Sequence, residues 1–105
     1  MLESKFEKQL IRELEREYPG AVVLKNNANM LQGFPDRLIL FKNRWAAFDA
    51  KAFEYASHQP NQDYYIDLLN SMSYAKFVYP ENKELFLDEL QLALRPKRGS
   101  RLLKR

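Results

Sequence analysis

The spacing of hydrophobic residues changes along the chain and predicts helices and strands in turn. Near the start, Phe6, Leu10 and Leu14 recur every fourth residue, as on the buried face of a helix, and Pro19-Gly20 ends the pattern. Later apolar runs are short and bounded by polar residues, which is typical of strands. The predicted elements are helix 2–18, strands 21–26, 37–41 and 45–51, helix 61–72, strand 74–79 and helix 81–94. This order, α-β-β-β-α-β-α, indicates an α/β fold with a mixed central sheet flanked by helices.

The two later helices have less regular patterns than the first. Helix 61–72 is expected to bury one face, made of Tyr65, Leu68, Leu69 and Met72. Asn61 precedes this helix as a candidate N-cap. The residues of helix 81–94 that are expected to face the core are Leu85, Leu87, Leu90, Leu92 and Leu94.

The second and third predicted strands place three charged side chains together. Residues two apart on a strand point to the same face, so Asp49 and Lys51 project together. If Lys42-Asn43 forms the turn, Asp36 lies opposite Asp49, although this turn sequence leaves the register open by about one or two residues. Facing carboxylates repel one another unless a cation compensates them, and Mg²⁺ prefers such oxygen ligands.

The first predicted helix carries acids within its apolar sector. Glu3 and Glu7 share that sector with Phe6 and Leu10, whereas four basic residues occupy the opposite side, namely Lys5, Lys8, Arg12 and Arg16. Acids in an apolar stripe are costly unless they have partners. We therefore expect Glu3 or Glu7 to face a metal. The alternative is that the positive end of the helix compensates both acids.

Charge is distributed unevenly along the 105 residues. Residues 95–105 hold 6 of the 17 basic residues and no acid, which leaves 11 basic and 14 acidic residues, a net charge of −3, in the rest of the chain. The length predicts one domain, at residues 1–94, and a basic tail at residues 95–105. The tail either holds a polyanion or is a solvated segment that aids solubility.

The residue content excludes several kinds of site. The chain has no cysteine, so disulfides, thiolate zinc sites and a cysteine nucleophile are ruled out. No apolar run approaches the length of a membrane span, and no secretory pattern is present at residue 1. We therefore expect a cytoplasmic protein with no membrane partner.

Four short elements carry a resemblance to a nuclease family. They are Glu3, Gly33-Phe34-Pro35-Asp36, then Asp49-Ala50-Lys51 about a dozen residues later, and Gln62 opening the next helix. The two middle elements resemble the PD-(D/E)XK nuclease signature. All four together resemble the VRR-NUC (virus-type replication-repair nuclease) domain in a phage-type stand-alone form. The likeness runs from about Glu3 to Leu90 and departs at Asp49, where the family usually has Glu.

This resemblance implies a restriction-endonuclease-like core and a metal-dependent DNA endonuclease that acts on structured or branched DNA. Asp36, Asp49 and the Ala50 carbonyl would hold Mg²⁺ or Mn²⁺, with Glu3 or Glu7 helping through water. Lys51 would position the attacking water or stabilise charge on the phosphate, and Gln62 would orient the water or Lys51. A homodimer is also implied, because cuts on two strands need two sites. Residues proposed for its interface are Trp45, Tyr74 and Phe77.

Several other residues near these motifs have roles that the sequence leaves open. His58, the single histidine, is expected to be a surface loop residue, with a general-base role as the alternative. Tyr55 and Tyr64 can stack on bases, whereas Tyr65 is expected in the core. Four polar residues either contact phosphate oxygens or simply form a polar surface loop, namely Lys25, Asn26, Asn27 and Asn29.

Two other functions fit the same sequence. One is a non-catalytic DNA-binding protein with a nuclease-like fold, for which Asp49 in place of the usual Glu is the sign. The other is an α/β interaction domain in which the carboxylates meet by coincidence.

Overall fold

The computed structural model describes residues 2–27 and 30–96 and confirms the predicted order of elements. The elements are helix α1 (Glu3–Glu17), strands β1 (Val22–Lys25), β2 (Arg37–Phe41) and β3 (Arg44–Ala50), helix α2 (Gln62–Met72), strand β4 (Ala75–Val78) and helix α3 (Lys83–Ala93). A short 3-10 helix, Pro80–Asn82, precedes α3, where the sequence predicted one continuous helix. The chain therefore has an α/β fold. The predicted tail lies outside the described residues from Lys97 onward.

The four strands form one mixed sheet in the order β1-β2-β3-β4. The β1–β2 and β2–β3 pairs are antiparallel, and β4 runs parallel to β3. Phe41 pairs with Arg44 and Arg37 pairs with Phe48, so Lys42-Asn43 is the turn, with Lys42 at a φ of +55°. The predicted register is confirmed, and it brings the start of β2 beside the end of β3.

The three helices divide between the two faces of the sheet. One face is covered by α1 and α3, whose buried residues Phe6, Leu10 and Phe86 join Phe48 of β3 in the larger core cluster. The other face is covered by α2, and the smaller core cluster there is formed by Ile66, Leu69, Ala47 and Ala75. Because α2 lies over β3 and β4, its first turn reaches the end of β3, where Asp49 and Lys51 are located.

The structure corrects the predicted buried faces of α2 and α3. On α2 the buried residues are Gln62, Ile66 and Leu69, whereas Met72 is 63% exposed. On α3 they are Phe86 and Leu90, followed by Leu94, while the leucines at 85 and 92 face solvent. Leucines at nearly every second position point to both sides of a helix, so their spacing does not specify the core face.

The residues proposed for a dimer interface have partners within the chain. Trp45 packs against the core beneath α2, the Tyr74 hydroxyl donates to Glu89 Oε1 at 2.8 Å, and the ring of Phe77 stacks on His58. Half-exposed apolar residues occur instead at Val22 and Leu24 of the edge strand. Within residues 2–27 and 30–96, no helix combines the length and apolar composition needed to cross a bilayer.

Candidate active site

A cleft of about 700 Å³ opens where the start of β2 meets the end of β3. Its other walls are the segment before β2 and the loop between β3 and α2. The residues predicted for the site that line this cleft are Glu3, Asp36, Asp49, Ala50, Lys51 and Gln62. The alternation of the strand and the register of the hairpin therefore bring together almost the whole predicted set.

Asp49 lines the cleft and is only 2% exposed. The Asp36 backbone N–H donates to its Oδ1 at 3.0 Å, and Gln62 Nε2 lies 3.5 Å from its Oδ2. The pKa of Asp49 is raised to about 6, mainly by burial and in smaller part by the negative charges of Asp36 and Glu3, while the Asp36 N–H and Lys51 act in the opposite direction. Asp49 is therefore a buried acid whose charge the protein compensates only in part.

Lys51 is buried beside Asp49 but does not bond to it directly. Its Nζ donates to Gln62 Oε1 at 2.9 Å and to the Ser57 carbonyl at 3.3 Å. The Gln59 backbone N–H donates to the same Gln62 Oε1 at 2.7 Å. Two donors at Oε1 fix the orientation of the carboxamide, so its NH₂ group faces Asp49. Gln62 thus links Asp49 to Lys51.

Asn26 fixes the segment that carries Asp36. Its side-chain amide donates to the Pro35 carbonyl at 2.7 Å, and its backbone N–H donates to the Asp36 carbonyl at 2.7 Å. The sequence suggested Asn26 only as a phosphate contact or a polar loop residue. Its position directly after a strand and its capacity to donate and accept were the signals available, but its partner nine residues away was not visible in the sequence.

Gly33 is required where the segment before Asp36 crosses the start of α2. Its φ is +87°, and a Cβ built there would lie 2.5 Å from the Pro60 carbonyl oxygen and 2.6 Å from Asn61 Cβ. Asn61 occupies the N-cap position with a φ of +71°, but its side chain makes no capping hydrogen bond, contrary to the expected role. This close crossing sets the position of Gln62, the next residue along.

The two acids of α1 have different environments. Glu3 lines the cleft, whereas the Glu7 carboxylate accepts from Arg37 Nε at 2.8 Å and forms an ion pair with it. The structure therefore brings Glu3, and not Glu7, to the cleft. Among the described residues no three His, Cys, Asp or Glu side chains lie close enough together to hold a metal, so Glu3 does not complete a three-carboxylate cluster with Asp36 and Asp49.

The cleft does provide oxygen atoms of the type that divalent cations bind. Asp36, Asp49 and Ala50, whose carbonyl is the third candidate oxygen, all line the cleft. The buried Asp49 charge has no direct cationic partner among the described residues. Hard cations take such ligands and complete their coordination with water and substrate oxygens.

Of the other residues whose roles the sequence left open, none that the structure describes lines the cleft. Tyr55 and Tyr64 are 83% and 62% exposed, and Tyr65 is half-buried with its ring edge against Phe34. His58 stacks on Phe77 and binds Asp63. Lys25 is exposed, and Asn29 lies outside the described residues.

Replacing Gly33 with alanine should disturb the cleft as well as the fold. Gly20→Ala is the matched control, because Gly20 also has a positive φ (+89°) but has no heavy atom within 4 Å of a built Cβ. Both variants should lose the roughly 1 kcal/mol that positive φ costs a residue with a Cβ. Only Gly33→Ala should also move the side-chain amide resonances of Gln62, because Pro60 and Asn61 must shift. Equal spectra and equal unfolding free energies for the two variants would contradict this role.

Stability should fall as pH rises through the range in which Asp49 titrates. The pKa of Asp49 is about 6 in the folded protein and near 3.8 when unfolded. Between these values the native state binds more protons than the unfolded state does. The stability that protonation of Asp49 gives the native state is therefore fully present below about pH 4 and is lost above about pH 6. The loss should be on the order of 2–3 kcal/mol without divalent cations. Urea unfolding at several pH values measures it, and Asp49→Asn should flatten the profile. Parallel profiles for the two proteins would show that Asp49 is not the cause.

Comparison of the chain with protein-family models, with curated proteins and with solved structures finds no match in any of the three.

Proposed function

We propose that this chain is a metal-dependent nuclease that hydrolyses phosphodiester bonds in DNA. The observation that carries the proposal is the buried link from Asp49 through Gln62 to Lys51, which opens into a cleft shared with Asp36. Burial of a carboxylate and an ammonium is costly, and groups whose pKa is shifted by burial cluster at functional sites.

A divalent cation would be held by the carboxylates of Asp36 and Asp49 and by the Ala50 carbonyl. Mg²⁺ or Mn²⁺ at these oxygens would polarise a phosphoryl oxygen and lower the pKa of a bound water. Asp49 contributes its charge at the base of the cleft, where the Asp36 N–H holds one of its oxygens in place.

Lys51 is suited to stabilise charge that develops on the phosphate. An ammonium has three N–H donors. Gln62 and Ser57 accept from Lys51, which leaves a donor for a phosphate oxygen or the attacking water. Gln62 acts on Lys51 and not directly on water through Oε1, because that oxygen already accepts from two donors. A preorganised donor of this kind lowers the barrier more than it strengthens substrate binding.

The charge pattern of α1 supports a polyanionic substrate. The inward acids Glu7 and Glu13 pair with Arg37 and Lys83. The exposed face carries basic residues for which no ion pair occurs among the described residues, namely Lys5, Lys8, Arg12 and Arg16. These span roughly 17 Å at 1.5 Å per residue. The helix begins at the cleft with Glu3, so DNA held along this face would lead into the site.

The proposals for the DNA substrate and for the oligomeric state of the protein rest on the sequence resemblance to the VRR-NUC domain. Branched or otherwise structured DNA is the proposed substrate, and a homodimer is the proposed state, since one chain supplies one cleft. The basic tail at residues 95–105 is proposed to add non-specific affinity for DNA. The competing function is DNA binding without catalysis, which the shorter Asp49 would favour if its carboxylate failed to reach the metal.

A cleavage assay separates these two functions. Linear, flapped and four-way DNA should be cut with Mg²⁺ or Mn²⁺ and not with EDTA. Lys51→Ala should lower kcat by roughly 100-fold or more while DNA affinity stays nearly constant, because the lost donor acts on the transition state. Lys76→Ala is the control, since Lys76 is a strand lysine outside this cleft that pairs with Glu89. If the protein binds DNA but does not cut it with either metal, the nuclease proposal is wrong and the non-catalytic DNA-binding function is favoured.

The exposed face of α1 should account for part of the salt dependence of DNA binding. The double variant Lys8→Gln, Arg12→Gln should flatten the plot of log affinity against log salt by up to about two contacts. Lys42→Gln is the control, because Lys42 lies in the turn at the opposite end of the hairpin from the cleft. Binding is measured in EDTA so that cutting does not interfere. Unchanged slopes in the double variant would place the DNA elsewhere.

A further inference from the structure

The loop between β3 and α2 touches the candidate active site through two backbone groups. The Ser57 carbonyl accepts from Lys51 Nζ at 3.3 Å, and the Gln59 N–H donates to Gln62 Oε1 at 2.7 Å. Both contacts depend on where the loop backbone lies and not on the side chains of residues 57 and 59. Whatever holds this backbone in place therefore also holds Lys51 and Gln62.

His58, the residue between them, connects the loop to the body of the protein. Its ring stacks on Phe77 with centroids 4.0 Å apart and an angle of 22° between the planes. Its Nδ1 lies 2.9 Å from Asp63 Oδ1. Phe77 pairs with Asp49 in the β3–β4 register, and Asp63 follows Gln62 in the chain. The imidazole is thus fixed to the immediate neighbours of two residues of the site.

The other large side chains of this loop are poorly placed to anchor it. Phe53 is 50% exposed and Tyr55 is 83% exposed. His58 combines a planar ring that can stack on Phe77 with a ring nitrogen that can bond to a carboxylate. The ring of Phe77 also lies 5.9 Å from Lys51 Nζ, so the surface that supports His58 supports the lysine as well.

We infer that His58 is a positioning residue of the proposed nuclease site. Its stacking on Phe77 and its bond to Asp63 hold the Ser57 carbonyl and the Gln59 N–H where they orient Lys51 and Gln62. The inference rests on the proposed function for its catalytic consequence, but the structural part of it concerns only contacts within the chain. His58 itself does not line the cleft and touches no reacting atom.

The structural part is tested by NMR on the protein free of metal and DNA. His58→Ala should raise the exchange rate of the Gln59 amide hydrogen by roughly tenfold or more, because one stacking contact and one charge-assisted bond are lost. The side-chain amide resonances of Gln62 should shift with it. Tyr55→Ala is the control, as it removes an exposed aromatic ring from the same loop and should change neither signal.

Two further variants separate the effect of stacking on Phe77 from the effect of the bond to Asp63. His58→Phe keeps a ring on Phe77 without the bond to Asp63, and His58→Gln keeps a polar partner for Asp63 without the stack. Each should restore part of the protection of the Gln59 amide that His58→Ala loses. Protection that is unchanged in His58→Ala would overturn the inference.

The catalytic part is measured by kcat and KM on DNA that the wild type cuts. His58→Ala should lower kcat by roughly 10-fold or more with little change in KM, since Lys51 loses orientation but DNA contacts remain. An unchanged kcat would overturn the catalytic role of His58. If the wild type cuts no DNA but Gln59 loses protection in His58→Ala, the proposed function fails while the positioning of Lys51 and Gln62 by His58 stands.

Discussion

Burying the carboxylate of Asp49 costs free energy, and the surrounding structure is arranged to reduce that cost. The side chain is 2% exposed and receives hydrogen bonds from the Asp36 backbone and the Gln62 side chain. These neutral donors offset part of the desolvation, yet the pKa of Asp49 is still raised to about 6. Lys51 does not neutralise the acid directly, because Gln62 lies between the two side chains. A bound cation would supply the remaining compensation. This incomplete compensation is the reason for proposing a metal at Asp49.

Contacts between separate segments of the chain hold the groups around Asp49. The hairpin register places Asp36 beside it, and Asn26 fixes the Pro35-Asp36 backbone from the neighbouring strand. The close approach at Gly33 sets the start of α2 and hence Gln62. The loop that contains His58 supplies the last backbone contacts to Lys51 and Gln62. The first two hold Asp36 beside Asp49, and the other two hold Gln62 between Asp49 and Lys51.

The parts of this arrangement that follow from local rules could be predicted from the sequence. The period-two alternation of β3 and the two-residue turn placed Asp36, Asp49 and Lys51 together, and the structure confirms that register. The buried face of α3 was predicted less well. Leu85 and Leu92 fit the helical spacing as well as Leu90 does, but only Leu90 of the three is buried. The roles of Asn26, Gly33 and His58 depend on contacts between residues far apart in the chain. Such contacts leave no periodic signal, so the sequence left Asn26 open between a phosphate contact and a polar loop residue, and His58 open between a surface loop residue and a general base.

The ¹³C NMR titration of the Asp49 side-chain carboxyl, with and without saturating Mg²⁺, tests the metal site most directly. Without metal the pKa should be near 6, because burial disfavours the charged carboxylate. With Mg²⁺ bound at Asp36 and Asp49, the positive charge favours the ionised form and the pKa should fall well below that value. A pKa that stays near 6 at saturating Mg²⁺ and, equally, at saturating Mn²⁺ would contradict the proposed metal site at Asp49.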